Sequence, residues 1–276
     1  MEQKTFALKG NIIYTKERTR FEVMEQGWLV CEEGRVRDVY SVLPEELKGI
    51  PVEDMEDRLI IPGLTDLHIH APQYTFRSLG MDMELLEWLE TNTFPEESKY
   101  KDAEYAKKAY EMFAEQLKKS ATVRACIFGT IHNEATLILM DLLEEAGLHT
   151  MVGKVNMDRN SPDYLCEPSA EASAQATREW LKAVADRKYK HTRPILTPRF
   201  TPSCTDELME LLKEIQTETH LPMQSHLSEN PGEIAWVKEL CPWSEFYGDA
   251  YDKFGLFGGD CPTVMAHCVY SGKEEM

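Results

Sequence analysis

The sequence predicts an α/β fold: a β-rich region of about 60 residues, then a larger region in which short strands alternate with helices around a parallel sheet. Two observations predict it. Beyond residue 62, six apolar segments recur at 63–69, 122–128, 149–155, 193–199, 221–226 and 262–267, and amphipathic stretches separate them. Three of the six run into histidine, at His68-Ile69-His70, at His226 and at His267. In a parallel α/β barrel the strand C-termini converge on one face, and the site is built there.

Each element has a local cause. Residues 6–14, 28–31 and 36–40 hold strand-forming runs separated by turn residues. Pro62-Gly63 then breaks the chain before the first histidine strand. Helices are expected at 82–91, 102–119, 133–146, 170–187, 205–217 and 231–240. In the first of these, Glu84-Leu85-Leu86-Glu87-Trp88-Leu89 spaces its apolar residues for core packing. Two domains are expected, 1–61 and 62–276. Six strands fall short of the eight that close a barrel. Either the fold is not a barrel or the chain is a piece of a longer protein.

Composition narrows the function classes. The chain has 276 residues, 48 acidic against 30 basic, and a formal net charge of -18. That balance argues against a nucleic-acid or anionic-membrane partner, which would need a basic patch. The seven cysteines form no paired motif. Their odd number and the polar start Met1-Glu2-Gln3-Lys4 fit reduced thiols and a cytoplasmic location. No apolar run approaches the roughly 20 residues that span a bilayer.

The histidines carry the first chemical signal. Side chains alternate along a strand, so His68 and His70 share one face. Two imidazoles on one strand end can grip a metal ion. His226, in Leu221-Pro222-Met223-Gln224-Ser225-His226, and His267, in Pro262-Thr263-Val264-Met265-Ala266-His267, stand at equivalent ends. Histidines at three strand ends favour one shared metal over separate structural roles. His132, His149, His191 and His220 are read as structural or surface residues, with His132 the one expected nearest the pocket.

Pro62-Gly63-Leu64-Thr65-Asp66-Leu67-His68-Ile69-His70 resembles the first-strand signature of the amidohydrolase superfamily. Further motifs resemble the guanine deaminase family within it. They include Ala71-Pro72-Gln73-Tyr74, Thr93-Phe94-Pro95, Thr197-Pro198-Arg199-Phe200, Gln224-Ser225-His226-Leu227-Ser228-Glu229-Asn230 and Val264-Met265-Ala266-His267. The resemblance implies a metal-dependent (β/α)8 (TIM) barrel. About six of its eight strands are present, with a small N-terminal part of a β-sandwich that a later C-terminal segment would complete. It implies hydrolytic deamination of guanine to xanthine and ammonia, one zinc ion per subunit, a homodimer, and no nucleic-acid or membrane partner.

On that resemblance His68, His70 and His226 hold the metal. Zinc lowers the pKa of bound water to about 7, which makes a nucleophile available near neutral pH. Glu229 is the proton carrier between water, ring nitrogen and leaving amine, its plain alternative being an acid that favours a helix N-terminus. His267 orients the water and stabilises charge, or else serves as a fourth ligand or as a hydrogen-bond donor around the site. Gln73, Arg199 and Phe200 recognise the base: Arg199 by its guanidinium fork on the carbonyl, Phe200 by stacking, Gln73 by its paired donor and acceptor. The aspartate that the eighth strand supplies in this superfamily has no counterpart before Met276. The chain alone is therefore expected to bind metal weakly and to aggregate or stay inactive. Two other readings remain. One is a related deaminase or chlorohydrolase acting on another aminated heterocycle. The other is an inactive fragment or non-catalytic interaction protein.

Overall fold

The computed structural model describes residues 5–276. The chain divides into two compact units at the Gly63–Leu64 junction.

The first unit is one four-stranded sheet of β1 (Thr5–Glu17), β2 (Arg20–Glu32), β3 (Arg35–Tyr40) and β4 (Val52–Ile60), in the order β3-β2-β1-β4. β1 and β2 pair antiparallel, as do β2 and β3, while β4 lies parallel to β1. The β2–β3 hairpin turns on Glu33 and Gly34, both at positive φ, the geometry whose twist suits a two-residue connection. Ala7, Val30 and Leu47 form its small core. β4 was not foreseen. Its acidic Glu53, Asp54, Glu56 and Asp57 have poor strand propensity. Pairing with β1 supplies what propensity lacks, and Lys9 meets Asp54 at 3.3 Å.

The second unit carries the α/β pattern. Its strands are β5 (Leu64–His70), β6 (Thr122–Phe128), β7 (His149–Gly153), β8 (Val155–Asn156), β9 (Thr192–Pro194), β10 (Thr197–Pro198), β11 (Met223–Leu227) and β12 (Thr263–His267). β5-β6-β7-β9, β8-β10 and β11-β12 are all parallel ladders. Leu196 bridges them onward, its carbonyl accepting from Gln224 N at 2.9 Å. Thus two of the six expected segments are split, at Lys154 and at Ile195-Leu196. Gly153 permits the break: a Cβ there would lie 2.8 Å from the Ile195 carbonyl oxygen.

The helices are α1 (Leu85–Trp88), α2 (Phe94–Ser98), α3 (Ala103–Lys118), α4 (Asn133–Glu145), α5 (Ala170–Arg187), α6 (Asp206–Thr219), α7 (Pro231–Leu240) and α8 (Asp249–Asp252). Asp102, Ser169 and Thr205 cap α3, α5 and α6 with side-chain acceptors. Tyr110, Phe113, Leu139, Leu143 and Trp180 from α3, α4 and α5 pack on Ile127 and Val152. Leu208, Leu212 and Ile215 from α6 pack with Val237 and Tyr251 around Met223 and Leu227. Each such large buried side chain contributes about 1.5–3 kcal/mol, so the helices clamp the strand ends in place.

The helix expected at 82–91 differs. It is α-helical only over Leu85–Trp88, then passes through a π turn at Leu89–Thr93 into α2. The Phe94 N–H reaches back five residues to the Leu89 carbonyl. Pro95, which has no N–H, cannot continue the ordinary ladder.

Candidate active site

β5, β11 and β12 end at one cavity, and the strand C-termini hold four imidazoles there. His68 and His70 leave the same face of β5, with ring centroids 4.9 Å apart. His70 Nε2 lies 2.9 Å from His226 Nε2. The ligand atoms of His68, His226 and His267 all fall within 4.8 Å of one another. His70 stacks on Phe128 at 4.4 Å, which fixes its ring plane. The Nδ1 atoms of His68 and His70 are buried and have no partner.

Electrostatics keep these rings neutral. Burial pushes the His68 imidazole down to about 4. Burial, and then the neighbouring histidines, hold His70 and His226 well below the ordinary value. Neutral imidazoles offer lone pairs, as metal ligation requires. The donor set of nitrogen ligands at a buried strand end fits a divalent transition metal such as zinc.

Glu229 follows β11 and meets His267: Glu229 Oε2 lies 3.2 Å from His267 Nε2. Burial, and then the Glu233 carboxylate, push Glu229 up to about 7, with Arg199 pulling the other way. Burial lowers His267. Both shifts weaken the ionised forms, so the contact is a hydrogen bond rather than a fixed ion pair, and Glu229 passes between acid and carboxylate near neutral pH. The backbone is strained here. Ser228, His267 and Cys268 adopt φ of 49°, 73° and 53°, a left-handed region that costs a non-glycine residue about 1–3 kcal/mol and concentrates at functional sites.

The substrate-side residues border the same cavity. Gln73, Arg199 and Phe200 line it together with the four histidines and Glu229. Phe200 is 5 % exposed and packs edge-on against Trp236 at 6.3 Å. Arg199 is 2 % exposed, and its fork is engaged: Nη1 and Nη2 reach the two Glu97 oxygens at 2.5 and 3.2 Å. His132 is not among the lining residues, although burial also pushes it down to about 4.

Five residues at the site were missed by sequence reasoning. Leu85, Trp88 and Leu89 wall the cavity from the α1 and π-turn segment. Glu233 lines it, fully buried, accepting from Tyr247 Oη at 2.8 Å and from Glu229 N at 3.0 Å. Asn230-Pro231-Gly232-Glu233 is a capping box, a signal visible in the sequence. Glu97 carries no such signal, because its partner lies 102 residues away.

Comparison with known proteins identifies the relatives of this chain. The amidohydrolase family model matches residues 59–276. A guanine deaminase of Dictyostelium discoideum is 37% identical over 97% of this chain and 63% of its own length. A guanine deaminase of Mus musculus is 37% identical over 97% of this chain and 55% of its own. A guanine deaminase structure from C. acetobutylicum, with guanine in its active site, superposes with a TM-score of 0.93. It is 47% identical and is covered to 64% by 98% of this chain. The chain therefore spans about six-tenths of the length of such relatives. Among the described residues no helix is long and apolar enough to cross a membrane. The matched family model covers most of the chain, and the histidine cluster stands where its strands end: this chain belongs to the amidohydrolase family.

Proposed function

We propose that this chain carries the metal and base-binding machinery of a guanine deaminase, which hydrolyses guanine to xanthine and ammonia with one zinc ion. One observation carries the reading. A cavity bordered by neutral imidazoles and a desolvated glutamate is also bordered by Gln73, Arg199 and Phe200, a set suited to a flat base with an amide-like edge. The likeness to guanine deaminases supports the choice of substrate. The parallel strand order supports a (β/α)8 barrel to which residues 64–276 contribute six strand segments. The N-terminal sheet is read as part of a β-sandwich.

His68, His70 and His226 would hold the metal. When bound there, zinc supplies Lewis-acid activation of water near neutral pH. The other steps belong to the chain. The Arg199 carbonyl fixes the His226 ring, which leaves Nε2 free to ligate. Glu229, desolvated and pushed up to about 7, takes the first proton of the attacking water and gives it to the ring nitrogen, then carries the remaining proton of the added hydroxyl to the amine as the C–N bond breaks and the new carbonyl forms. His267, hydrogen-bonded to Glu229, steadies that carboxylate and the charge that develops at the attacked carbon. Phe200 offers a face to the purine ring, and Gln73 and Arg199 read its polar edge.

The test, made on this chain extended to the length of the guanine deaminases it resembles, is a panel of guanine, adenine, cytosine and an aminated or chlorinated triazine, with product release followed by chromatography and zinc measured alongside. Guanine is expected to be turned over fastest. A preference for adenine or for a triazine would replace the substrate assignment and leave the family intact.

A further inference from the structure

We propose that Glu97 is a positioning residue: it holds the Arg199 guanidinium in the cavity wall so that Arg199 presents its remaining donors to the carbonyl edge of the base. The inference rests on the reading of guanine as substrate.

The pair is almost wholly buried, with side chains 3 % and 1 % exposed. A buried ion pair is often no more stabilising than apolar residues of the same volume, so stability alone gives this pair no advantage. Its geometry does. A guanidinium has five N–H donors, and the two-pronged contact with Glu97 fixes its plane while engaging two nitrogens. The Phe94 ring, 5.2 Å from the guanidinium carbon, adds a second constraint. The Arg199 backbone is anchored independently, its N–H donating to Asn156 O at 3.1 Å. Arg199 is therefore held at both ends, and it lines the cavity.

The neighbouring carboxylate shows that this placement is selective. Glu96 accepts from Thr75 Oγ1 at 2.7 Å and also pairs with Lys99 and Tyr105. Consecutive residues of a helix point about 100° apart. The phase of α2 thus decides which glutamate meets Arg199, and the π turn before it sets that phase.

In this chain extended to the length of the guanine deaminases it resembles, the experiment compares wild type, Glu97→Gln, Glu97→Asp, Arg199→Ala and the double variant Glu97→Gln/Arg199→Ala. It reads kcat and KM for guanine, affinity for 2-aminopurine by its fluorescence, and zinc content. 2-Aminopurine keeps the ring and the exocyclic amine but lacks the carbonyl oxygen. Glu97→Gln is expected to lower kcat/KM for guanine on the order of a hundredfold, with 2-aminopurine affinity and zinc content held within a few-fold. Arg199→Ala should add little in the Glu97→Gln background, because the two side chains act as one unit. Glu97→Asp keeps the charge and should fall between. If Glu97→Gln does not fold, Glu97→Asp carries the same comparison between the two bases. Unchanged guanine kinetics, or equal losses for both bases with loss of zinc, would overturn the positioning role while leaving the function standing. An extended wild type that is inactive on guanine would remove the function and this role with it.

Discussion

His226 donates its Nδ1 proton to the carbonyl oxygen of Arg199 at 2.6 Å. A carbonyl only accepts, so the bond fixes the tautomer and leaves the Nε2 lone pair toward His70. One residue therefore serves both halves of the site. Its backbone orients a candidate metal ligand, and its side chain borders the space for the base. This follows from the strand order, which brings the end of β10 beside β11.

Replacing that ligand should be decisive. In this chain extended to its relatives' length, His226→Ala dialysed without added metal is expected to retain far less zinc than the extended wild type, which should hold about one ion per chain. His68→Ala should behave alike. Full zinc occupancy in both variants would place the metal elsewhere.

Glu229→Gln should keep zinc and base binding yet lose about 10²–10⁴-fold in kcat, the usual contribution of a positioned proton carrier. Steady-state kinetics with guanine read this directly. Turnover close to wild type would assign the proton transfers to another group.

Gly153→Ala tests the strand break that shapes the site. The new methyl carbon would lie 1.7 Å from Thr197 Oγ1 and 2.8 Å from the Ile195 carbonyl oxygen. The side chain can turn away, but the backbone carbonyl cannot. A loss of about 1–3 kcal/mol is expected from urea unfolding, as for other overpacked sites. An unchanged midpoint would mean that the ladder relaxes freely there.

A pH prediction comes from Glu144, at the end of α4. Partial burial pushes its carboxyl up, but backbone N–H groups of Lys190, His191 and Thr192 donate to it at 2.8, 2.9 and 2.9 Å and leave it lowered. A carboxyl whose folded pKa is depressed stabilises the fold above its unfolded value, near 4.3. That contribution is lost as pH falls through the lower folded value. Glu144→Gln should therefore be less stable than wild type at pH 7, and the gap should narrow below about pH 4. An equal gap at pH 7 and pH 3 would show that charge plays no part.

Much of the pattern was legible because it is local. The six apolar segments match the parallel strands of the second unit to within about two residues at their ends, since apolar runs bounded by turn residues signal buried strands wherever they pack. α3, α4, α5, α6 and α7 lie within about two residues of their expected ends, as capping and periodicity dictate. β4 was hidden because acidic residues have poor strand propensity until a partner strand is present. The short α1 and its π turn were hidden because a single π turn of five residues is too short to leave a period of its own in the apolar pattern.

The sequence by itself determined which faces carry chemistry: His68 and His70 must share a side of one strand, because side chains alternate. It also determined that Glu229 stands three residues beyond His226, at a strand mouth. Only the tertiary structure decided that these ends meet at 2.9 and 3.2 Å, that burial keeps the imidazoles neutral, and that Glu97 occupies the Arg199 fork. Distances and desolvation between residues far apart in sequence arise from packing, and no local pattern encodes them.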